Sequence, residues 1–181
     1  MTITPDPKKK IKEGRRDREF GAMASRRQYN RIGWVILMVA NKIKYIKDIK
    51  FYYEFNGKGH VHCHGSIIVE DNIVKMDTLK RFKLGICSAF SRKDTSEYYN
   101  DICCKIKPRD DDKIVVNNDN EILRREYSSW EEYCKKDQEA LIKCYPWMLP
   151  LEGKHLTSFN EQCDEDEKDM KVRGFNIKDL D

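Results

Sequence analysis

The sequence lacks a long hydrophobic run, and this absence bears on the class of protein that it encodes. Its most apolar stretch, RIGWVILMVAN at 31–41, reaches an asparagine after about ten positions, whereas a membrane-spanning helix needs ~20 apolar residues. A secretory signal is not expected either, because the segment PDPKKKIKEGRRDREF at 5–20 stays charged where a signal peptide would become apolar. These absences predict a protein without a membrane-spanning segment.

The cysteines lack the paired spacing of a disulfide framework or a structural zinc site. Their number is odd and no CxxC pair occurs, so neither kind of site is favoured and a reducing intracellular compartment is expected. A chain of 181 residues without an internal repeat suits one compact domain. The cysteines are Cys63, Cys87, Cys103, Cys104, Cys134, Cys144 and Cys163.

Charge is unevenly distributed along the chain, although the net charge is only +4. Basic residues crowd the start and acidic residues crowd 164–169, an asymmetry that favours a polyanion partner. The alternative interpretation is that both ends are solvated tails. Residues 7–18 also resemble a nuclear localisation signal. The candidate polyanion contacts are Lys8, Lys9, Lys10, Arg15, Arg16, Arg26 and Arg27.

Hydrophobic patterning predicts an α+β domain with a central, mainly antiparallel β-sheet of about five strands and flanking helices. The continuous apolar run at 33–40 is typical of a strand buried on both faces, and we expect it at the centre of the sheet. The glycine-rich sequence NGKG at 56–59 predicts an antiparallel hairpin. The other predicted elements are the hairpin strands 49–55 and 60–69, a helix at 77–90, a strand at 101–107, a loop or small hairpin through 114–116, and a helix at 129–143 capped by Ser129.

Composition divides the chain into three parts. Residues 1–28 are interpreted as a flexible basic arm because they show little apolar periodicity. Residues 29–150 are expected to form the domain. Residues 151–181 are interpreted as a charged tail or linker, too polar to extend the core far.

Three of the four histidines stand at alternate positions in GKGHVHCHGSIIV, residues 57–69. Residues two apart in a strand project from one face, so His60, His62 and His64 are expected on a common surface. A three-residue hairpin loop would place Glu54 opposite His62, whereas a loop of two or four residues would turn that carboxylate to the other face. Two imidazoles and a carboxylate with open positions suit a divalent metal acting as a Lewis acid. The alternative is a histidine-rich surface without a resident metal.

Two motifs, in this order, resemble those of a known family. The sequence HCHGSIIV at 62–69, after a strand that carries a glutamate, is similar to the metal motif of HUH endonucleases. The sequence SSWEEYCKKD at 128–137 resembles their nucleophile motif, Tyr-x-x-Lys followed by an acidic residue. Together the matches span 33–143 and are most similar to Rep proteins, which initiate rolling-circle replication of circular single-stranded DNA viruses and plasmids. The first family motif corresponds only loosely to 35–41, and 108–128 resembles an insertion.

The resemblance implies a ligand set for the metal. His62 and His64 correspond to the paired histidine ligands and Glu54 to the upstream carboxylate, which together would hold Mg²⁺ or Mn²⁺. The pair His60 and His62 matches the bare pattern equally well. Gly65, which follows His64 in the family manner, favours the later pair.

The resemblance also implies that Tyr133 is the nucleophile and Lys136 its helical neighbour. Residues three apart share one face of a helix. A phenol is a poor nucleophile at neutral pH unless its proton is removed or its anion is stabilised, and a nearby ammonium favours the anion. The alternative role for Tyr133 is packing against Trp130. Trp130 itself, with Tyr127, is a candidate either for packing or for stacking on unpaired bases.

The activity that the resemblance implies is nicking of single-stranded DNA at an origin stem-loop through a 5′-phosphotyrosine, with religation by reversal. It further implies a viral protein of the host nucleus and a homo-oligomer in the full-length initiator. Such initiators commonly continue into a helicase domain; because no GxxxxGK[ST] loop occurs here, we expect a nickase portion or a protein without helicase activity. The alternatives are a single-tyrosine transposase or relaxase of the same superfamily, and a non-catalytic nucleic-acid-binding domain.

Overall fold

The protein is an α+β structure in which helices pack on an antiparallel sheet, and this part of the predicted fold is confirmed. The computed structural model describes residues 1–3, 18–55, 60–70, 75–90, 104–105, 114–116, 125–127 and 129–174. The strands are β1 (Thr2–Ile3), β2 (Ile46–Phe55), β3 (Val61–Val69), β4 (Cys104–Lys105), β5 (Ile114–Val116), β6 (Arg125–Tyr127) and β7 (Leu151–Glu152). The helices are α1 (Arg18–Lys42), α2 (Lys75–Phe90), α3 (Trp130–Lys135), α4 (Gln138–Cys144) and α5 (Leu156–Val172).

The main sheet has the strand order β4-β1-β3-β2-β7, and each neighbouring pair is antiparallel. Its centre is the hairpin of β2 and β3, which the sequence predicts. One face of this hairpin carries Phe51, Tyr53, Val61 and Cys63, each at most 1% exposed. Helix α1 covers this face, and Phe82 of α2 stacks on Phe51. A separate antiparallel pair, β5 with β6, lies within the predicted insertion and agrees with the expected small hairpin through 114–116.

The prediction of a central strand at 33–40 is wrong, because these residues belong to helix α1. The buried positions Ile32, Val35, Ile36 and Val39 follow helical spacing, and Trp34 on the remaining side is 43% exposed. Helix α1 contacts the sheet, α2 and α5, so other elements cover it from several directions. A helix covered from several directions has a continuous apolar sequence, which periodicity alone cannot distinguish from that of a buried strand.

Described segments near both ends of the chain pack with the rest of the fold, whereas the sequence predicts an arm at 1–28 and a tail at 151–181. Thr2–Ile3 forms strand β1, and helix α1 begins at Arg18, inside the predicted arm of 1–28. Leu151 pairs with Phe51 in the sheet, and α5 occupies most of the predicted tail. Leu151 is 6% exposed, so the core extends beyond residue 150.

Helix α5 packs on α1 through a small set of apolar contacts. Phe159 and Met170 of α5 are 7% and 0% exposed. A Cβ atom at Gly33 would lie 2.3 Å from the ring of Phe159, so this glycine lets the two helices approach closely. Charged or polar residues occupy most of the other positions of α5, which explains why its apolar face is hard to recognise from the sequence.

The predicted helix at 129–143 is divided into α3 and α4. Ser129 caps α3 as predicted, since its hydroxyl accepts a hydrogen bond from the backbone N–H of Glu132. The chain leaves the helix at Lys136, which has φ −49° and ψ 141°, and Asp137 adopts a left-handed φ of 61°. The predicted helix at 77–90 is present as α2, with Phe82 and Ile86 buried.

Candidate metal and nucleophile site

The hairpin register brings the predicted ligands to one face of the sheet. Glu54 pairs directly with His62, and Tyr52 pairs with His64. The condition on which the metal hypothesis depends is therefore met. The turn at 56–59 lies outside the described residues.

Glu54, His62 and His64 form a compact group of potential metal ligands. Glu54 Oε1 lies 2.8 Å from His62 Nε2 and 2.6 Å from His64 Nε2, and the two imidazole nitrogens are 3.2 Å apart. Neighbouring ligands around an octahedral cation with bonds of ~2.1 Å are about 3 Å apart. The spacing of the donor atoms thus fits a single small cation, and two imidazoles with a carboxylate are a mixed nitrogen and oxygen ligand set.

Burial and hydrogen bonding together determine the charge of this group. Burial raises the pKa of Glu54, but hydrogen bonds from His62 and His64 outweigh it and hold the pKa well below its usual range. Burial lowers the pKa of His64, although the neighbouring carboxylate opposes this effect. An ionised carboxylate beside a neutral imidazole is the protonation state that a metal requires.

The histidines differ in their remaining contacts. His64 Nδ1 lies 2.8 Å from the hydroxyl of Thr2, on the neighbouring strand β1. His62 is 8% exposed, and its Nδ1 has no hydrogen-bond partner among the described residues. His60 is buried and contacts Gln28 of α1, with 3.5 Å between His60 Nδ1 and Gln28 Nε2. The compact ligand group therefore contains His62 and His64, and His60 lies outside it.

Helix α3 positions Tyr133 beside the histidines. The indole N–H of Trp130 donates a 3.0 Å hydrogen bond to the carbonyl of Gly65, which follows His64 on β3. Trp130 and Tyr133 stack with ring centroids 5.2 Å apart. The ring centroids of Tyr133 and His64 lie 5.3 Å apart, and Tyr133 is partly exposed. Trp130 thus packs within the site, as one of its two predicted roles requires.

Lys136 connects the tyrosine with the carboxylate of the candidate metal-ligand group. Its Nζ lies 3.3 Å from Glu54 Oε2 and 4.2 Å from the centroid of the Tyr133 ring. Burial lowers the pKa of Lys136, but the charge of Glu54 and a hydrogen bond with Tyr133 outweigh it and raise the pKa above its usual value. The side chain is therefore a cation between the predicted ligands and the predicted nucleophile.

Two contributors to the site were missed by sequence reasoning. Thr2 belongs to a segment interpreted as an arm, and Gln28 lies at the end of that same segment. Gln28 holds β3 through its Oε1, which accepts a 3.0 Å hydrogen bond from the N–H of Val61. No sequence signal identifies either residue, because both approach β3 from distant parts of the chain.

The predicted polyanion contacts fall into two groups. Arg26 and Arg27 lie on α1 and form ion pairs with α5, Arg26 with Asp166 and Arg27 with Glu167. These pairs occupy both guanidinium groups within the fold. The others, which lie outside the described residues, are Lys8, Lys9, Lys10, Arg15 and Arg16.

Comparisons with known proteins found no match among family models, curated proteins or solved structures. Helices long and apolar enough to cross a membrane are absent from the described part of the chain.

Proposed function

We propose that this protein is a metal-dependent HUH endonuclease of the Rep type, which nicks and rejoins single-stranded DNA to initiate rolling-circle replication. The observation that carries the proposal is the meeting of two sequence motifs about 70 residues apart in the chain. The ring of Tyr133 lies 5.3 Å from His64, a member of the Glu54-His62-His64 group. Lys136 contacts both Tyr133 and the candidate metal ligand Glu54, an arrangement that packing of the tyrosine alone does not explain.

The proposed cofactor is Mg²⁺ or Mn²⁺, held by Glu54 Oε1 and the Nε2 atoms of His62 and His64. The three donor atoms leave the remaining coordination positions of such an ion for water and a phosphate oxygen. When bound, the ion would polarise the scissile phosphate and offset the negative charge that develops on it.

The proposed reaction is an exchange of one phosphoester for another. The Tyr133 oxygen attacks phosphorus, a bond forms between them, and the bond from phosphorus to the 3′ oxygen of the upstream nucleotide breaks. The tyrosine proton is lost and the leaving oxygen gains a proton, giving a free 3′-hydroxyl and a 5′-phosphotyrosine. Reversal by a 3′-hydroxyl rejoins the strand without ATP.

Lys136 stabilises the transition state in this proposal. Its ammonium lies beside the Tyr133 ring, where it offsets the charge that develops on the phosphate. Its contact with Glu54 keeps the ammonium beside the ligand group. The end of α3 before Lys136 serves this arrangement, because the chain turns out of the helix there.

The finer fold and the biological setting are part of the same proposal. We propose that the antiparallel sheet and its helices are an HUH-type fold of about five strands, in which the proposed ligands lie on the neighbouring strands β2 and β3. The proposed substrate is an origin stem-loop, the proposed location is a host nucleus, and the full-length initiator is proposed to be a homo-oligomer.

The test is formation of a covalent protein–DNA adduct. A library of stem-loop oligonucleotides with randomised single-stranded loops, labelled at the 3′ end, is incubated with the protein and Mn²⁺ and then denatured. A labelled protein band is expected with the wild type, and Tyr133→Phe or chelation of the metal should remove it. Tyr45→Phe is the matched control, because Tyr45 is 39% exposed and precedes β2 at its far end.

Labelling at the 5′ end distinguishes the chemistry further. Cleavage by a tyrosine that retains the 5′-phosphate releases a shortened 5′-labelled strand with a free 3′-hydroxyl, which a polymerase can extend. Binding of DNA without any adduct, or an adduct that persists in Tyr133→Phe, would contradict the proposal. The first of these outcomes would favour the non-catalytic nucleic-acid-binding domain.

A further inference from the structure

The imidazole of His64 is held through both ring nitrogens. Its Nε2 faces Glu54 Oε1 at 2.6 Å, and its Nδ1 faces the hydroxyl of Thr2 at 2.8 Å. Thr2 pairs directly with His64 in the sheet, so its side chain projects from the same face. The neighbouring ligand, His62, has no corresponding contact among the described residues, because its Nδ1 is buried without a partner.

A metal ion at Nε2 imposes a requirement on the other nitrogen of the ring. A neutral imidazole carries one proton, and a metal can use the lone pair of Nε2 only when that proton is on Nδ1. A buried Nδ1–H needs an acceptor, since a donor left without one is costly. In the metal-bound form the Thr2 hydroxyl accepts a hydrogen bond from Nδ1–H. When the proton is on Nε2 instead, the hydroxyl can donate a hydrogen bond to Nδ1.

Strand β1 holds this hydroxyl in place. It lies between β3 and β4, and the side chain of Ile3 is fully buried in the core. Thr2 pairs with His64 on one side and with Lys105 on the other. A hydroxyl on a strand paired on both sides has little freedom to move away from the imidazole.

We propose that Thr2 is a positioning residue of the metal site, whose hydroxyl fixes the orientation of His64 by accepting a hydrogen bond from its Nδ1–H when a divalent cation binds. The inference rests on the proposed metal site. It assigns to the start of the chain a function in metal affinity, which the two motifs do not indicate.

The test compares Thr2→Val with Thr2→Ser. Valine keeps the shape and β-branching of threonine but removes the hydroxyl, whereas serine keeps the hydroxyl. Mn²⁺ binding is measured by electron paramagnetic resonance as displacement of the free-ion signal. Loss of a hydrogen-bond partner of a metal-ligating histidine weakens binding about 10–100-fold. We expect that loss in Thr2→Val and affinity close to wild type in Thr2→Ser.

A second measurement reports on the proton itself. In protein labelled with ¹⁵N-histidine and saturated with diamagnetic Mg²⁺, long-range ¹H–¹⁵N spectra assign the tautomer of His64. A proton on Nδ1 is expected in the wild type and in Thr2→Ser. A proton on Nε2 in the Mg²⁺-bound wild type would overturn the proposal, and this result does not depend on the folding of any variant.

The outcomes separate this inference from the proposed function. Absence of Mn²⁺ binding by the wild type would remove the metal site and the inference with it. Metal binding by the wild type with equal affinity in Thr2→Val would overturn the role of Thr2 and leave the metal site intact. A loss of equal size in Thr2→Ser would also overturn it, because the hydroxyl would then not be the cause.

Discussion

At the scale of single residues, the two oxygens of Glu54 face different parts of the candidate site. Oε1 lies within 2.8 Å of both histidine Nε2 atoms, and Oε2 lies 3.3 Å from Lys136. One carboxylate therefore links the proposed metal ligands with the cation that contacts Tyr133. This division explains how a proposed metal ligand on β2 is linked to the proposed nucleophile on α3.

Lys136→Met provides a test of that coupling. Removal of a charge that stabilises the transition state lowers a rate about 10²–10³-fold, so we expect covalent adduct to form more slowly by that factor at saturating Mn²⁺. Lys135→Met is the control, because Lys135 is half exposed and pairs with Glu131 on the surface of α3. Equal rates in the two variants would contradict the role of Lys136.

The charge states of His64 and Glu54 predict how the free energy of unfolding depends on pH. Burial lowers the pKa of His64 below its ordinary 6.5 in the folded protein, so the unfolded chain binds its proton more readily. Stability from this group is complete above pH 6.5 and declines as the pH falls. The low pKa of Glu54 adds a second loss below its ordinary value of 4.5.

Urea unfolding of the metal-free protein at a series of pH values measures this dependence. We expect the free energy of unfolding to fall as the pH is lowered from 7 toward 5, and His64→Asn should flatten this part of the profile. Profiles of equal slope for the variant and the wild type would contradict the assignment to His64.

At the scale of secondary-structure elements, Gly65 shows why a glycine follows the histidines. A Cβ atom at this position would lie 2.2 Å from the backbone oxygen of Lys50 and 2.6 Å from the ring of Phe51. Strand β2 cannot move aside without losing its pairing with β3. The carbonyl of Gly65 also accepts the hydrogen bond from Trp130, so the same residue anchors α3.

Gly65→Ala is therefore expected to destabilise the protein by about 1–3 kcal/mol, the usual cost of inserting a methyl group into a packed site. The measurement is urea unfolding at constant pH. Ser66→Ala is the control, since Ser66 is the next residue of β3 and is exposed. A loss of similar size in both variants would contradict the steric explanation.

The division of α3 from α4 is a second feature that belongs to this scale. In a continuous helix through 129–143, Lys136 would have helical backbone angles. Instead α3 ends before Lys136, and Asp137 takes a left-handed conformation, which aspartate tolerates better than most residues. The ammonium of Lys136 reaches Glu54 from this irregular position.

At the scale of the whole molecule, some basic residues near the start of the sequence form ion pairs with acidic residues near its end. Arg26 pairs with Asp166, which is 3% exposed and also accepts a hydrogen bond from Asn30. Arg27 pairs with Glu167 on the same helix. Part of the charge asymmetry that favours a polyanion partner therefore serves the packing of α1 on α5.

Arg26→Met tests this packing. Removal of Arg26 would leave the buried carboxyl group of Asp166 without its ion-pair partner, and breaking a buried pair in this way costs about 3 kcal/mol. Arg173→Met is the control, because its pair with Asp169 is exposed and such pairs contribute less than about 1 kcal/mol. Equal unfolding free energies for the two variants would contradict the structural role of Arg26.

Local sequence patterns were enough to predict the shared face of His62 and His64, the cap at Ser129 and the antiparallel hairpin, because strand and helix-cap geometry is local. The place of Glu54 on that face depended on the hairpin register, since only a three-residue loop sets Glu54 opposite His62. Tertiary structure decided that 33–40 is a helix, since an apolar run reports burial but not the direction from which it is covered. It also decided the contacts of Thr2 with His64 and of Trp130 with Gly65, which join residues 62 and 65 positions apart. Such contacts depend on how whole elements pack, and no local pattern encodes them.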